Sequence, residues 1–151
     1  MRTFEDVDDF CAAVGEDFGE SSWIAIDQAR IDLFAEATGD HQWIHVDAGR
    51  AANGPFGTTI AHGFLTLSLV PVMLAEILEV KQLAAFVNYG TDKVRFLRPV
   101  PVDSRVRASV SLASVEEVAL GVRAILSIEI GLEDEGKPAC VAELITVLVR
   151  P

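Results

Sequence analysis

Residues 62–79, HGFLTLSLVPVMLAEILE, decide how this chain folds. Apolar side chains fall on nearly every side of a helix drawn through them. The spacing therefore predicts a helix enclosed by other structure rather than one lying on a surface. The apolar run from Gly63 to Ala75 is interrupted by Thr66, Ser68 and Pro71 and closed by Glu76, and it is too short to span a bilayer. Pro71 lacks a backbone donor, which predicts a kink or a local loosening inside the helix.

Downstream, the period changes from helical to two. Val106, Ala108, Val110 and Leu112 alternate with Arg105, Arg107, Ser109 and Ser111. Val122, Ala124, Leu126, Ile128 and Ile130 alternate in the same way, and a Gly136-Lys137-Pro138 turn leads into a final strand over 139–149. Such alternation with short turns predicts an antiparallel meander with one face covered. One very apolar helix followed by about five antiparallel strands predicts an α+β fold, with a curved sheet wrapped around the helix. With 151 residues and no repeat or linker, the chain reads as a single domain over 1–151.

Composition narrows the function classes. Half the residues are hydrophobic and 23% are charged, as in a globular protein rather than a disordered one. Asp and Glu number 23 against 12 Lys and Arg, a net charge of −11, which disfavours nucleic acid or an anionic membrane as partner. Cys11 and Cys140 make no disulfide framework, and the acidic N-terminal stretch lacks a signal-peptide core, so a cytoplasmic location is expected. The basic residues crowd together: Lys93, Arg95, Arg98, Arg105 and Arg107 share a stretch whose one acid is Asp103. They read either as solvated strand-face charges or as an anion-binding rim for a phosphate-bearing small ligand.

Upstream of the helix lies the chemistry. Residues 22–26 suit a short strand, Asp27 an N-cap, and Ile31, Phe34, Ala35 and Thr38 one helical face that Gly39 ends. Residues 40–61 read as an ordered loop with brief helical turns. Asp40 and His45 sit five apart across Gln42, Trp43 and Ile44, whose bulk should pack the loop down. Each polar residue alone could simply be solvated or satisfied locally, but together they could orient one water and move its proton. His41 and His45 have metal-ligand spacing, with Asp47 and His62 nearby, yet the loop composition argues against one helical turn and no HExxH is present. No metal is expected. Gly63 opens the helix, where free amides could receive a developing oxyanion, or it merely allows close packing. The run Asn53–Thr59 is Gly-rich but lacks a nucleotide-binding pattern.

The stretch Phe34–Asp47, FAEATGDHQWIHVD, resembles the hydratase-2 motif of MaoC-like (R)-specific enoyl-CoA hydratases, in which Gly-Asp-x-Asn-Pro is followed by an aliphatic residue and His. Ile60-Ala61-His62-Gly63 resembles the start of that family's central helix. The 88–101 region is similar to a subgroup with mycobacterial single-hot-dog hydratases and nodulation protein N-like proteins. The likeness runs from about Trp23 to the C-terminus. Gln42-Trp43 replaces the usual Asn-Pro and keeps the Asp-to-His spacing.

The resemblance implies a hot-dog fold and a hydro-lyase that adds water to trans-2-enoyl-CoA, giving (3R)-3-hydroxyacyl-CoA. It implies Asp40 and His45 as the residues that activate water, and the Gly63 amide as the donor to the thioester carbonyl. It further implies a homodimer and no separate cofactor, coenzyme A being part of the substrate. Lys93, Arg95 and Arg98 become candidates for its phosphates, and His41 and His62 become structural. A hot-dog thioesterase, or a non-catalytic acyl-CoA or acyl-carrier binding module, stands as the alternative.

Overall fold

The computed structural model describes residues 1–134 and 136–151. Strand β1 (Arg2–Phe4), helix α1 (Val7–Ala12) and strands β2 (Asp17–Glu20) and β3 (Ile24–Ile26) precede α2 (Gln28–Thr38). The short helices α3 (Trp43–Val46) and α4 (Ala48–Ala52) follow, then α5 (Gly63–Ser68) and α6 (Val70–Ile77). Strands β4 (Leu78–Val80), β5 (Ala85–Phe96), β6 (Ser104–Val118), β7 (Gly121–Leu132) and β8 (Cys140–Val149) complete the chain.

The main sheet has six strands in the order β2-β6-β7-β8-β5, with β3 also paired to β6, and all its pairings are antiparallel. Burial along β8 alternates strictly, and β6 and β7 alternate over most of their length, so period two in the sequence becomes one covered face and one wetter face. Leu112, Leu126 and Leu148 are fully buried on the covered face. Leu65, Leu69, Val70, Met73, Leu74 and Ile77 of the helices join the same core. This is an α+β hot dog: a curved antiparallel sheet around a central apolar helix.

Three details differ from the sequence reading. The central helix is two helices separated at Leu69, and it stops at Ile77 rather than Glu79. Pro71 sits in the first turn of α6, where its missing donor costs nothing, and the break lies just before it. Leu78–Val80 turns away because it pairs in parallel with β1 as a separate two-stranded sheet. Nor is the helix enclosed all round: Phe64 is 67% exposed and Val72 51%. No described segment of the chain covers that side, and β5 beside it is exposed along almost its whole length.

Candidate active site

Asp40 owes its place to the end of α2. Asp27 caps the start of that helix by accepting from the Arg30 amide (2.8 Å). Gly39 ends it with φ of 78°, the left-handed conformation that favours glycine, while its N–H donates to Ala35 O. The chain turns sharply there, and the Asp40 carboxylate accepts from the Gln42 amide (3.3 Å). This carboxylate stays exposed.

His45 is carried inward by the single turn of α3 and is only 6% exposed. Trp43 anchors that turn: the Arg50 guanidinium lies over its ring at 4.3 Å, and its indole fits so closely on Gly54 that a Cβ there would meet it at 2.9 Å. His45 Nδ1 lies 2.7 Å from the Ile60 carbonyl. A carbonyl only accepts, so Nδ1 carries the proton and Nε2 is left as the free base. Burial holds the His45 pKa below the ordinary 6.5, outweighing the bond to Ile60; a charge on His62 would push it the same way, and Asp40 opposes.

A second tier of bonds holds this arrangement. Gln28 Nε2 donates to the His45 carbonyl (2.8 Å), and the buried Thr59 hydroxyl donates to Gln28 Oε1 (2.6 Å). The Ile60 amide donates to Ile44 O (3.0 Å). The 59–61 segment is in turn laced to the β5–β6 connection by an isolated bridge between Ile60 and Pro101 and by Ala61 N–H to Val100 O (2.8 Å).

The structure brings Asp40, His45 and His62 together, with one polar atom of each lying within 4.8 Å of the others. His62 is 3% exposed, its ring stacks on that of His45 with centroids 3.8 Å apart, and its Nε2 lies 2.9 Å from Asp40 O. The resemblance implies a merely structural role for His62, yet it stands beside both predicted site residues. The available signal was its position immediately before Gly63. His41, by contrast, stays outside, exposed and 3.7 Å from Glu36. His45 Nδ1 and His62 Nε2 are committed to backbone carbonyls, which leaves Nε2 of His45 and Nδ1 of His62 as the acceptor nitrogens of the stacked pair.

Gly63 opens α5 and shares with His45 a cavity of about 300 Å³, whose apolar wall includes Phe56, Phe96 and Leu97. A Cβ on Gly63 would strike the Phe96 ring at 2.8 Å. Arg98 stands on the rim of that cavity. A second, apolar hollow of about 310 Å³ lies along the open side of the central helix, between Leu74 and Phe86.

The basic stretch is largely neutralised. Lys93 pairs with Glu143 (2.7 Å), Arg98 with both oxygens of Asp134, Arg105 with Glu133 and Arg107 with Glu20 (2.8 Å). Arg98 holds the Asp134 carboxyl down at about 2. Within the cluster, and among the described residues, Arg95 has no carboxylate within ion-pair distance.

Compared with known proteins, residues 9–126 match the MaoC-like domain family. The chain is 57% identical over 146 residues to 3-hydroxyacyl-thioester dehydratase Z of Mycobacterium tuberculosis, covering 96% of this chain and 97% of the relative. It is 43% identical to nodulation protein N of Rhizobium leguminosarum, covering 93% and 89%. Its fold superposes on unliganded R-hydratase PhaJ1 from Pseudomonas aeruginosa with a TM-score of 0.74 at 25% identity, covering 91% and 83%.

Proposed function

We propose, from the premise that this chain belongs to the MaoC-like domain family, that it hydrates trans-2-enoyl-CoA to (3R)-3-hydroxyacyl-CoA. The chain is a hydro-lyase. In the reaction proposed, a water held between the Asp40 carboxylate and His45 Nε2 attacks the β-carbon of the enoyl thioester. The proton it loses is matched by one delivered to the α-carbon, so H and OH add across the double bond. The Gly63 amide donates to the thioester oxygen, where enolate charge gathers.

The observation that carries this reading is the bond from His45 Nδ1–H to Ile60 O, 2.7 Å long. It leaves an unprotonated Nε2 in a cavity that also holds the first amide of α5, with Asp40 alongside. A base kept neutral by burial and an amide at a helix start are the two elements that adding water across an activated alkene requires.

Recognition of the coenzyme is assigned to Arg98 on the cavity rim and to Arg95, with Lys93 beside them on the same stretch of chain. Charge already spent on Asp134 and Glu143 lowers what Arg98 and Lys93 can offer, which leaves Arg95 the strongest of the three. The active form is proposed to be a homodimer. β5 ends the sheet with an unpaired edge and exposes Phe86, Val87, Tyr89 and Phe96, a surface that an isolated chain would leave open to self-association.

Crotonyl-CoA tests the reading. Loss of the enoyl absorbance without release of thiol is expected, with the R product in a stereospecific coupled assay. Asp40→Asn and His45→Ala should each lower kcat by about 10²–10⁴ while still binding ligand. Free thiol would redirect the assignment to a thioesterase, and wild-type turnover no faster than the variants would leave only a binding module.

A further inference from the structure

His62 touches both residues assigned to catalysis. Its ring lies on the His45 imidazole at 3.8 Å, and the Phe34 ring packs against it at 4.9 Å, closing it in. Its Nε2–H donates to the carbonyl of Asp40 at 2.9 Å, across 22 residues of chain. Its own peptide leads directly into Gly63 and the first turn of α5. One buried side chain thus touches the backbone of Asp40 and the face of the base, while the same residue's backbone leads into the helix that offers the amide.

It does so at a cost. The other ring nitrogen, Nδ1, is buried, and no protein group among the described residues bonds to it. A buried acceptor left unpaired is uncommon and calls for a reason. A phenylalanine would fill the same slot between Phe34 and His45 without stranding a polar atom. What phenylalanine could not supply is the donor to Asp40 O.

We propose that His62 is a positioning residue, one whose Nε2–H pins the Asp40 peptide and whose ring face pins the His45 imidazole so that carboxylate and base meet across a single water. The proposal rests on the hydratase reading. Misplacing such a pair by about 1 Å is enough to cost about 100-fold in rate. His62 itself exchanges no proton with the substrate.

Three substitutions separate its two contacts. His62→Gln keeps a donor and removes the ring, His62→Phe keeps a ring and removes the donor, and His62→Leu removes both. We expect kcat with crotonyl-CoA to fall about 10-fold or more in each single-feature variant and about 100-fold in His62→Leu, with KM changed less than about threefold. His62→Phe trades the unpaired Nδ1 against the bond to Asp40 O, and its melting temperature, measured alongside, separates a loss of kcat from a loss of fold.

Relaxation of the Asp40 amide and of the His45 ring, read by NMR, needs no substrate. Asp40 should be rigid in wild type and His62→Gln but mobile in His62→Phe, and the His45 ring mobile in His62→Leu. A folded His62→Leu protein with kcat within twofold of wild type, or with Asp40 and His45 as rigid as before, overturns the proposal. If wild type itself turns over no enoyl thioester, the hydratase reading falls, and the relaxation data still judge the positioning role.

Discussion

His45 shows how one environment sets both an activity and a stability profile. Burial is the main reason its pKa lies below 6.5. The neutral imidazole therefore persists to lower pH than in a free histidine, and the acid limb of kcat/KM is expected below pH 6.5 and absent in His45→Ala. The stability effect has a definite sign. Above 6.5 both folded and unfolded chains carry the neutral ring. As pH falls through 6.5 towards the lower folded value, the unfolded chain takes up the proton first, so stability declines across that window and levels off below it. Urea midpoints of wild type and His45→Gln between pH 7.5 and 5 should diverge in that direction. Parallel midpoints would contradict it. Asp40 and His45 were legible as a pair because five residues of chain hold them. His62 was not, because its place depends on packing between Phe34 and the 60–62 segment, which no local pattern records.

At the level of elements, the site is a splice between α2, α3 and the segment before α5. Gln28 makes the splice: its amide reaches the His45 carbonyl and Asp32, and its oxygen accepts from Thr59. Gln28→Ala strands the hydroxyl of Thr59, which is only 1% exposed, and frees α3. It should cost about 1–3 kcal/mol of stability, read as a lower urea midpoint, together with a drop in kcat. A midpoint unchanged within error would show the bridge to be idle. The start and stop of α2 could be read in advance from Asp27 and Gly39, because caps are local chemistry, whereas α3 begins without a side-chain cap and gave no such signal. The alternation of β6, β7 and β8 was equally open to reading. The β1–β4 pair was not: two three-residue strands some seventy residues apart carry no pattern of their own. The neutralisation of the basic stretch was hidden for the same reason, since Glu20, Glu133, Asp134 and Glu143 lie far from it in the chain.

One flank of the molecule is apolar: β5 and the open side of α5 and α6 leave Phe86, Phe64 and Val72 in water, and Val87 and Tyr89 are exposed on the other face of the same edge strand. Association through that flank predicts a dimer by sedimentation velocity, and Tyr89→Glu should shift it towards monomer at equal concentration. A wild-type protein that stays monomeric at high concentration would remove the homodimer from the proposal. The net charge of −11 favours solubility, and any self-association must therefore come from apolar contact strong enough to offset repulsion.

The strand order also governs when the site comes into being. β6 and β7 are joined by only two residues, Ala119 and Leu120, and β7 and β8 are consecutive, so these three can pair through short loop closures. β5 must wait for β8: Ala85 pairs with Val149, far along the chain from it. Phe96 and Leu97, which wall the cavity beside Gly63, come from the end of that strand and the residue after it. A ribosome making this protein thus releases Asp40, His45 and Gly63 before β8, and their pocket cannot close until β8 has followed. Catalytic competence therefore waits on the pairing of β5 with β8.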